Sequence, residues 1–264
     1  MRIIVCIKQV PATNEVKIDP KTGTLIREGI ESIINPFDLF ALEEGLRLKE
    51  AHGGCVFVLS MGPLQARISL KEAMAMGADT AVLLSDRAFA GSDTLATSYT
   101  LAAGIKKLGG ADIILCGKQS TDGETGQVGP GIAAQLDIPH ITCVTKIIKV
   151  DHAKKRIVVE REVEEGYEEI LTTLPVLLTV EKEINRPRFL TVKGIMRAKK
   201  TGVVVWTASD LEIDPSRIGL SGSPTEIVKV FSLPRQKRGI IFSGTPEEQV
   251  ETLVSKLKEA GYLF

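Results

Sequence analysis

The residues best placed to do chemistry follow the apolar run Asp112-Ile113-Ile114-Leu115-Cys116. They are Gly117, Lys118, Gln119, Ser120, Thr121, Asp122, Gly123, Glu124, Thr125, Gly126, Gln127 and Val128, with Gly129, Pro130 and Gly131 leading into a helical pattern that ends near Leu136. Glycine lets main-chain amides approach a ligand closely, and a helix N-terminus adds positive partial charge. A phosphate-bearing nucleotide suits such a bend. In open α/β sheets ligands sit beyond the carboxyl ends of strands, where strand order reverses. Cys6-Ile7-Lys8, Ser60-Met61-Gly62 and Gly117 all fall at expected strand ends, so a groove is expected there.

The bend matches no standard nucleotide fingerprint. In G-x-x-x-x-G-K-[ST] terms Asp112 replaces the first glycine and Gln119 the hydroxyl residue. The nearest G-x-G-x-x-G/A, at Gly129-Pro130-Gly131-x-x-Ala134, starts a dozen residues past the strand. His52, His140 and His152 share no metal-ligand spacing, and no G-x-S-x-G elbow exists. Glu43-Glu44 and Glu164-Glu165 read as solvated carboxylates, and Arg197 to Lys200 as a wet basic helix face. With a place for a nucleotide and no acid–base or nucleophilic set, the pattern points to a cofactor that carries its own chemistry. No catalytic side chain and no metal site is expected.

The expected fold is α/β: a doubly wound, mostly parallel sheet with helices on both faces, edge hairpins, and an extended C-terminal arm plus helix. Arg2–Lys8, Val56–Ser60, Ala81–Leu84 and Ile113–Cys116 read as core strands alternating with helices. Asn35 can cap a helix with Pro36 in its first turn, and Ser92 or Asp93 caps the helix reaching Leu108. Asp19 to Gly23 is turn chemistry. Ile141–Val150, Arg156–Glu162, Tyr167–Thr173 and Val176–Glu181 suit consecutive hairpins on the sheet edge. Ile195–Lys200 reads as a short basic helix. Residues 1–200 then form the nucleotide domain, and 201–264 an arm and a helix opened by the capping box Thr245-Pro246-Glu247-Glu248.

Composition narrows the classes further. Lys+Arg and Asp+Glu both total 33, which gives no reason to expect nucleic acid or an anionic membrane as a partner. Apolar content of 44% supports a real core in 264 residues, yet no run is long enough for a membrane span or a signal peptide, so the chain is expected in the cytoplasm. Cys6, Cys55, Cys116 and Cys143 lie far apart in apolar runs and read as buried free thiols.

On the run Val159 to Thr179 and on stretches from Val5-Cys6-Ile7-Lys8-Gln9-Val10-Pro11 to Ile195-Met196-x-Ala198-Lys199-Lys200, the chain resembles, from end to end, the small (beta) subunit of electron transfer flavoproteins. The run Val159-x-Arg161-x-x-Glu164-Glu165-Gly166-Tyr167-Glu168-x-Ile170-x4-Pro175-x-Leu177-Leu178-Thr179 carries that family's signature. Val5 to Pro11, Asn35-Pro36-Phe37-Asp38, Ser60 to Pro63, Ala75 to Asp79, Gly117-Lys118-Gln119, Asn185-x-Pro187-Arg188-Phe189 and Ile195-Met196-x-Ala198-Lys199-Lys200 match as well. The resemblance implies a heterodimer with an alpha subunit that carries the shuttling FAD. It also implies an adenine nucleotide held here by the Cys6 backbone, Asn35, Pro36, Phe37, Asp38, Met61 and the stretch Gly117 to Val128.

In many members that nucleotide is a structural AMP. In the bifurcating branch it is a second FAD, which takes hydride from NADH and sends one electron to ferredoxin or flavodoxin and the other to the alpha-subunit FAD. The stretch Asp122 to Pro130 is similar to the bifurcating branch, since AMP-holding members carry an acidic residue where this chain has Gly123. FAD is therefore expected, with AMP as the alternative. An ATP-hydrolysing or adenylating enzyme on the same framework is a weaker third reading. The family's docking loop for acyl-CoA dehydrogenases and related flavoenzymes maps to Arg188 through Met196, with Val192 as the apolar anchor beside Lys193, Ile195 and Met196.

Overall fold

The computed structural model describes residues 1–12, 17–18, 25–26, 31–228 and 239–263. They fall into two compact units: Met1–Lys17 with Leu25–Val228, and Ile18–Thr24 with Lys229–Phe264. The first unit extends through Val228. The turn expected at 19–23 and the stretch 229–238 of the expected arm lie outside the described residues.

The first unit is built on strands β1 (Arg2–Cys6), β2 (Gln9–Pro11), β3 (Ser32–Ile34), β4 (Cys55–Met61), β5 (Thr80–Leu84), β6 (Ile113–Gly117), β7 (His140–Asp151), β8 (Arg156–Val163), β9 (Gly166–Thr173), β10 (Val176–Val180) and β11 (Val204–Trp206). Helices α1 (Pro36–His52), α2 (Arg67–Met76), α3 (Thr94–Lys107), α4 (Val128–Leu136) and α5 (Val192–Thr201) connect them. Nine strands form one sheet in the order β9-β8-β7-β10-β6-β1-β4-β5-β11. The central pairings are parallel; β8 runs antiparallel to both of its neighbours. β2 and β3 make a separate antiparallel ribbon.

Period-two alternation sends strand side chains to opposite faces. Ile3 and Val5 join Leu42, Leu46, Leu70, Met74 and Ala198 from α1, α2 and α5, while Ile4 and Cys6 join Leu101, Ile105 and Ile132 from α3 and α4. Both faces are therefore covered, which is why β1 and β6 read as unbroken apolar runs. The chain lays down β1, β4 and β5 moving outward, then returns to place β6 on the far side of β1. The switch point thus lies between the carboxyl ends of β1 and β6, at Cys6 and Gly117.

Several local expectations are corrected. Val176–Val180 is no edge hairpin: it inserts between β7 and β6, parallel to both and fully buried. Val204–Trp206, expected in an arm, adds a parallel strand beside β5. The basic helix begins at Val192, capped by the Thr191 hydroxyl on the Gly194 amide, instead of at Ile195. Cys6 and Cys116 are buried free thiols, but Cys55 and Cys143 are only half-buried. Asp93 caps α3 through the amides of Leu95 and Ala96. In the second unit, α6 (Pro246–Glu259) starts with the expected capping box between Thr245 and Glu248. No helix among the described residues is long and apolar enough to cross a membrane.

Candidate functional site

Three segments meet at the switch point, the chain just past β1, the first turn of α1 and the bend from β6 into α4, with the end of β4 one strand further out. Asp38, in the first turn of α1, is the junction. Its two carboxylate oxygens accept the Lys8 amide at 2.7 Å and the Gly117 amide at 3.1 Å, tying the chain beyond β1 to the end of β6. Only 7% of Asp38 is exposed. Burial dominates its titration and pushes the carboxyl up to about 7, against the downward pull of those amides, of Asn35 and of the Lys8 charge.

Asn35 makes a second tie. It precedes α1 but does not cap it with its side chain. Its amide group donates to the Gln119 carbonyl at 2.8 Å and accepts from the Thr121 amide at 3.1 Å, so a residue 84 positions away fixes the shape of the bend. Burial to 1% exposure makes those two bonds costly to lose. Further on, the Lys8 ammonium reaches Asp122 at 2.6 Å. Burial works against the Asp122 charge, but Lys8 and the Ser120 hydroxyl hold its carboxyl below the ordinary range. Thr94, in the first turn of α3, donates to the Gln127 side chain at 2.9 Å, and Lys118 pairs with Glu181 at 2.6 Å. The hydrogen bond to Glu181 raises the Lys118 ammonium above its ordinary value.

The glycines of the bend have separable causes. A Cβ on Gly117 would sit 2.5 Å from Asp38 Oδ1 and 2.6 Å from Phe37 Cβ; one on Gly129 would sit 2.6 Å from Thr179 Cγ2; one on Gly131 would strike Ser98 Oγ. Packing of the protein against itself demands these three. Gly126 has φ +62°, a left-handed conformation. Gly123 has neither constraint: its φ is ordinary and a Cβ would meet only Ser120 Oγ, at 3.4 Å. Around it the amides of Gly123, Gly126 and Val128 donate to no acceptor among the described residues.

The expected contacts Cys6, Asn35 to Asp38, Met61 and Gly117 to Val128 thus occupy one end of the sheet, and hydrogen bonds join Asn35 and Asp38 directly to the bend. Met61 ends β4 two strands from the bend, and Cys6 lies under it beside Cys116, whose thiol the Cys6 hydrogen bond and burial push well up. Lys8, Thr94 and Glu181 were not in the expected set. Lys8 was placed at a strand end lining the expected groove without a contact being assigned to it; Thr94 and Glu181 give no local signal.

Glu43 and Glu44 are not solvated. They are 3% and 9% exposed on α1. Burial opposes the Glu43 charge, but bonds from Arg188 and Arg47 leave its carboxyl below the ordinary range; for Glu44 burial wins and the pKa is raised. Arg188, expected at a docking surface, spends its guanidinium on Glu43 at 2.8 Å and Glu50 at 2.6 Å. Val192, Lys193, Ile195 and Met196 lie exposed on the first two turns of α5.

A doubly wound sheet whose switch-point bend is tied back by buried Asn35 and Asp38 defines the class: an open-sheet α/β protein. Residues 22–211 match the electron transfer flavoprotein domain. The chain is 53% identical over 258 residues to the electron transfer flavoprotein subunit beta of Thermoanaerobacterium thermosaccharolyticum, covering 97% of this chain and 98% of that one. It is 52% identical over 261 residues to the caffeyl-CoA reductase-Etf complex subunit CarD of Acetobacterium woodii, covering 98% of each. With protein FixA of Azotobacter vinelandii it shares 46% over 265 residues, 97% of this chain and 94% of the other. The chain belongs to the electron transfer flavoprotein family, as a beta subunit.

Proposed function

We propose that this chain is the small subunit of a cytoplasmic two-subunit electron carrier, that it holds FAD at the bend between β6 and α4, and that it passes electrons from NADH by flavin-based bifurcation. The observation that carries the cofactor choice is Gly123. The other glycines of the bend answer to packing or to φ, whereas Gly123 answers to neither, so a ligand close to its main chain gives it a reason. Free amides at Gly123, Gly126 and Val128, with α4 behind them, suit the diphosphate of a dinucleotide. Bound FAD supplies the hydride and one-electron chemistry. The chain's own part is to fix the bend through Asn35 and Asp38 and to present Lys8 beside it.

The Acetobacterium relative, named as a subunit of a caffeyl-CoA reductase-Etf complex, supports an acyl-CoA dehydrogenase-type acceptor, with an alpha subunit as the constant partner and ferredoxin or flavodoxin taking the second electron. Exposed Phe189, Leu190, Val192 and Met196 suit docking of that acceptor. The test is to count cofactors in the purified heterodimer. Two FAD per heterodimer, both reduced by NADH, is the expected result. One FAD and one AMP would replace this reading with that of a structural nucleotide, and ATP turnover by the chain with no flavin bound would replace both.

A further inference from the structure

The stretch from Asn185 to Ala198 is pinned at both ends and bare in the middle. At the first end, the Asn185 amide donates to the Phe40 carbonyl and to Glu44 Oε2, both at 3.0 Å. Arg188 then makes five contacts with two carboxylates of α1. Its backbone amide and Nε reach Glu43 Oε2 at 3.1 and 2.8 Å, Nη2 reaches Glu43 Oε1 at 3.2 Å, and Nη1 and Nη2 reach the two Glu50 oxygens at 2.6 and 3.1 Å. Arg47 closes the far side of Glu43 at 2.9 Å.

At the second end, Arg197 Nη2 donates to the carbonyls of Met74 and Ala78 at the C-terminus of α2. Gly194 lies so close to the Ala75 carbonyl that any Cβ would collide with it, and Ala198 is buried in the core. Between these anchors Phe189 is 93% exposed, Val192 77% and Met196 58%. Residues 189–191, the short lead into α5, have little packing of their own to hold a shape, so the anchors decide where Phe189 and the exposed start of α5 point.

We propose that Arg188 is a positioning residue for the docking surface: clamped by Glu43 and Glu50, it sets the course of residues 189–191 into α5 and so presents Phe189 and Val192 to the acceptor without touching it. This rests on the docking reading above. A planar guanidinium gripping two carboxylates is a geometry that lysine cannot reproduce. Glu43, at 3% exposure, is out of any partner's reach and must act through Arg188. Holding an apolar link in its bound course lowers the ordering cost of association, which appears in the affinity and not in the electron-transfer step that follows.

The experiment uses the intact heterodimer with an acyl-CoA dehydrogenase as acceptor, and measures affinity together with KM and kcat for electron delivery. Arg188→Ala, Arg188→Lys and Glu43→Gln should each weaken binding about tenfold through KM, with kcat, cofactor content and the salt dependence of association unchanged. Glu50→Gln, at the solvent side of the clamp, should give a smaller loss in the same direction and serves if Glu43→Gln does not fold. Combined with Val192→Ala, Arg188→Ala should cost less than the product of the two single losses, because both act on one contact. Wild-type affinity in Arg188→Lys, or losses that multiply with Val192→Ala, would make Arg188 a direct charge contact and overturn the proposal. If Val192→Ala and Arg188→Ala both bind as wild type, the docking surface itself lies elsewhere and the proposal goes with it.

Discussion

Replacing Asp38 with asparagine tests whether the switch point is held by a buried carboxylate. Both of its oxygens accept backbone amides, and asparagine keeps only one acceptor; its other terminus would point N–H at N–H. That mismatch in a buried position should cost about 1–3 kcal/mol at every pH. The pH dependence is the sharper signature. A carboxyl raised from 3.8 to about 7 on folding binds more protons in the native than in the unfolded chain between those values, so stability falls as pH rises through the window. At ~1.36 kcal/mol per pH unit the full penalty is about 4 kcal/mol, of which about 2 kcal/mol develops between pH 5.5 and 8.

Glu43, Glu50 and Asp122 are held below their ordinary values and act the other way, losing their contribution only as pH falls through the acidic range below this window. Raised groups such as Glu44 and Glu72 are common to both proteins and cancel in the difference. Urea unfolding of the nucleotide-free full-length chain should therefore show a wild-type midpoint about 1 M lower at pH 8 than at pH 5.5, for an m-value of ~2 kcal/mol/M. Asp38→Asn should start lower and lose most of that slope. Equal slopes in the two proteins would refute the assignment of a buried, proton-binding Asp38.

Gly123→Asp should assemble normally, since a Cβ there meets only Ser120 Oγ, yet it should lower FAD per heterodimer; unchanged flavin stoichiometry would count against a diphosphate at that position. Asn35→Ala removes both bonds to the bend and should destabilise the chain by about 2 kcal/mol, with faster nucleotide release in stopped flow. Gly131→Ala drives a methyl into Ser98, whose hydroxyl is already committed to the Thr94 and Val128 carbonyls, and should cost about 1–3 kcal/mol in a urea melt. Adding Ser98→Gly to that variant should recover most of the loss, and no recovery would mean the clash lies elsewhere.

The first half of the fold was legible because its strands are buried on both faces and its helices carry local caps: Ile3 to Cys6 and Ile113 to Cys116 are apolar throughout, and Asp93 closes its own helix. The site bend was legible for the same reason, as glycines and hydroxyls clustered directly after a buried strand. What escaped depends on distant partners. Val176–Val180 has the same composition whether it ends a meander or fills the centre of a sheet, and only pairing with β6 and β7 decides. Glu43 reads as solvated until Arg188, 145 positions away, is folded onto it. Asn35 looked like a cap because Asn-Pro opens so many helices, yet its side chain serves the bend. α5 starts early because Thr191 caps over a glycine, which in the chain alone reads as loop.

The late arrival of Val176–Val180 has a consequence for synthesis. When the ribosome has made the first 120 residues, β1, β4, β5 and β6 can already assemble, but one side of β6, Ile113 to Gly117, has no neighbour until some 60 more residues emerge. During that interval an apolar strand edge with open amides and carbonyls faces water, the kind of margin on which nascent chains stick to one another. The three-stranded excursion β7–β9 must therefore be laid down quickly or shielded. Chains stalled or clipped before residue 176 should be the ones that chaperones retain and proteases clear.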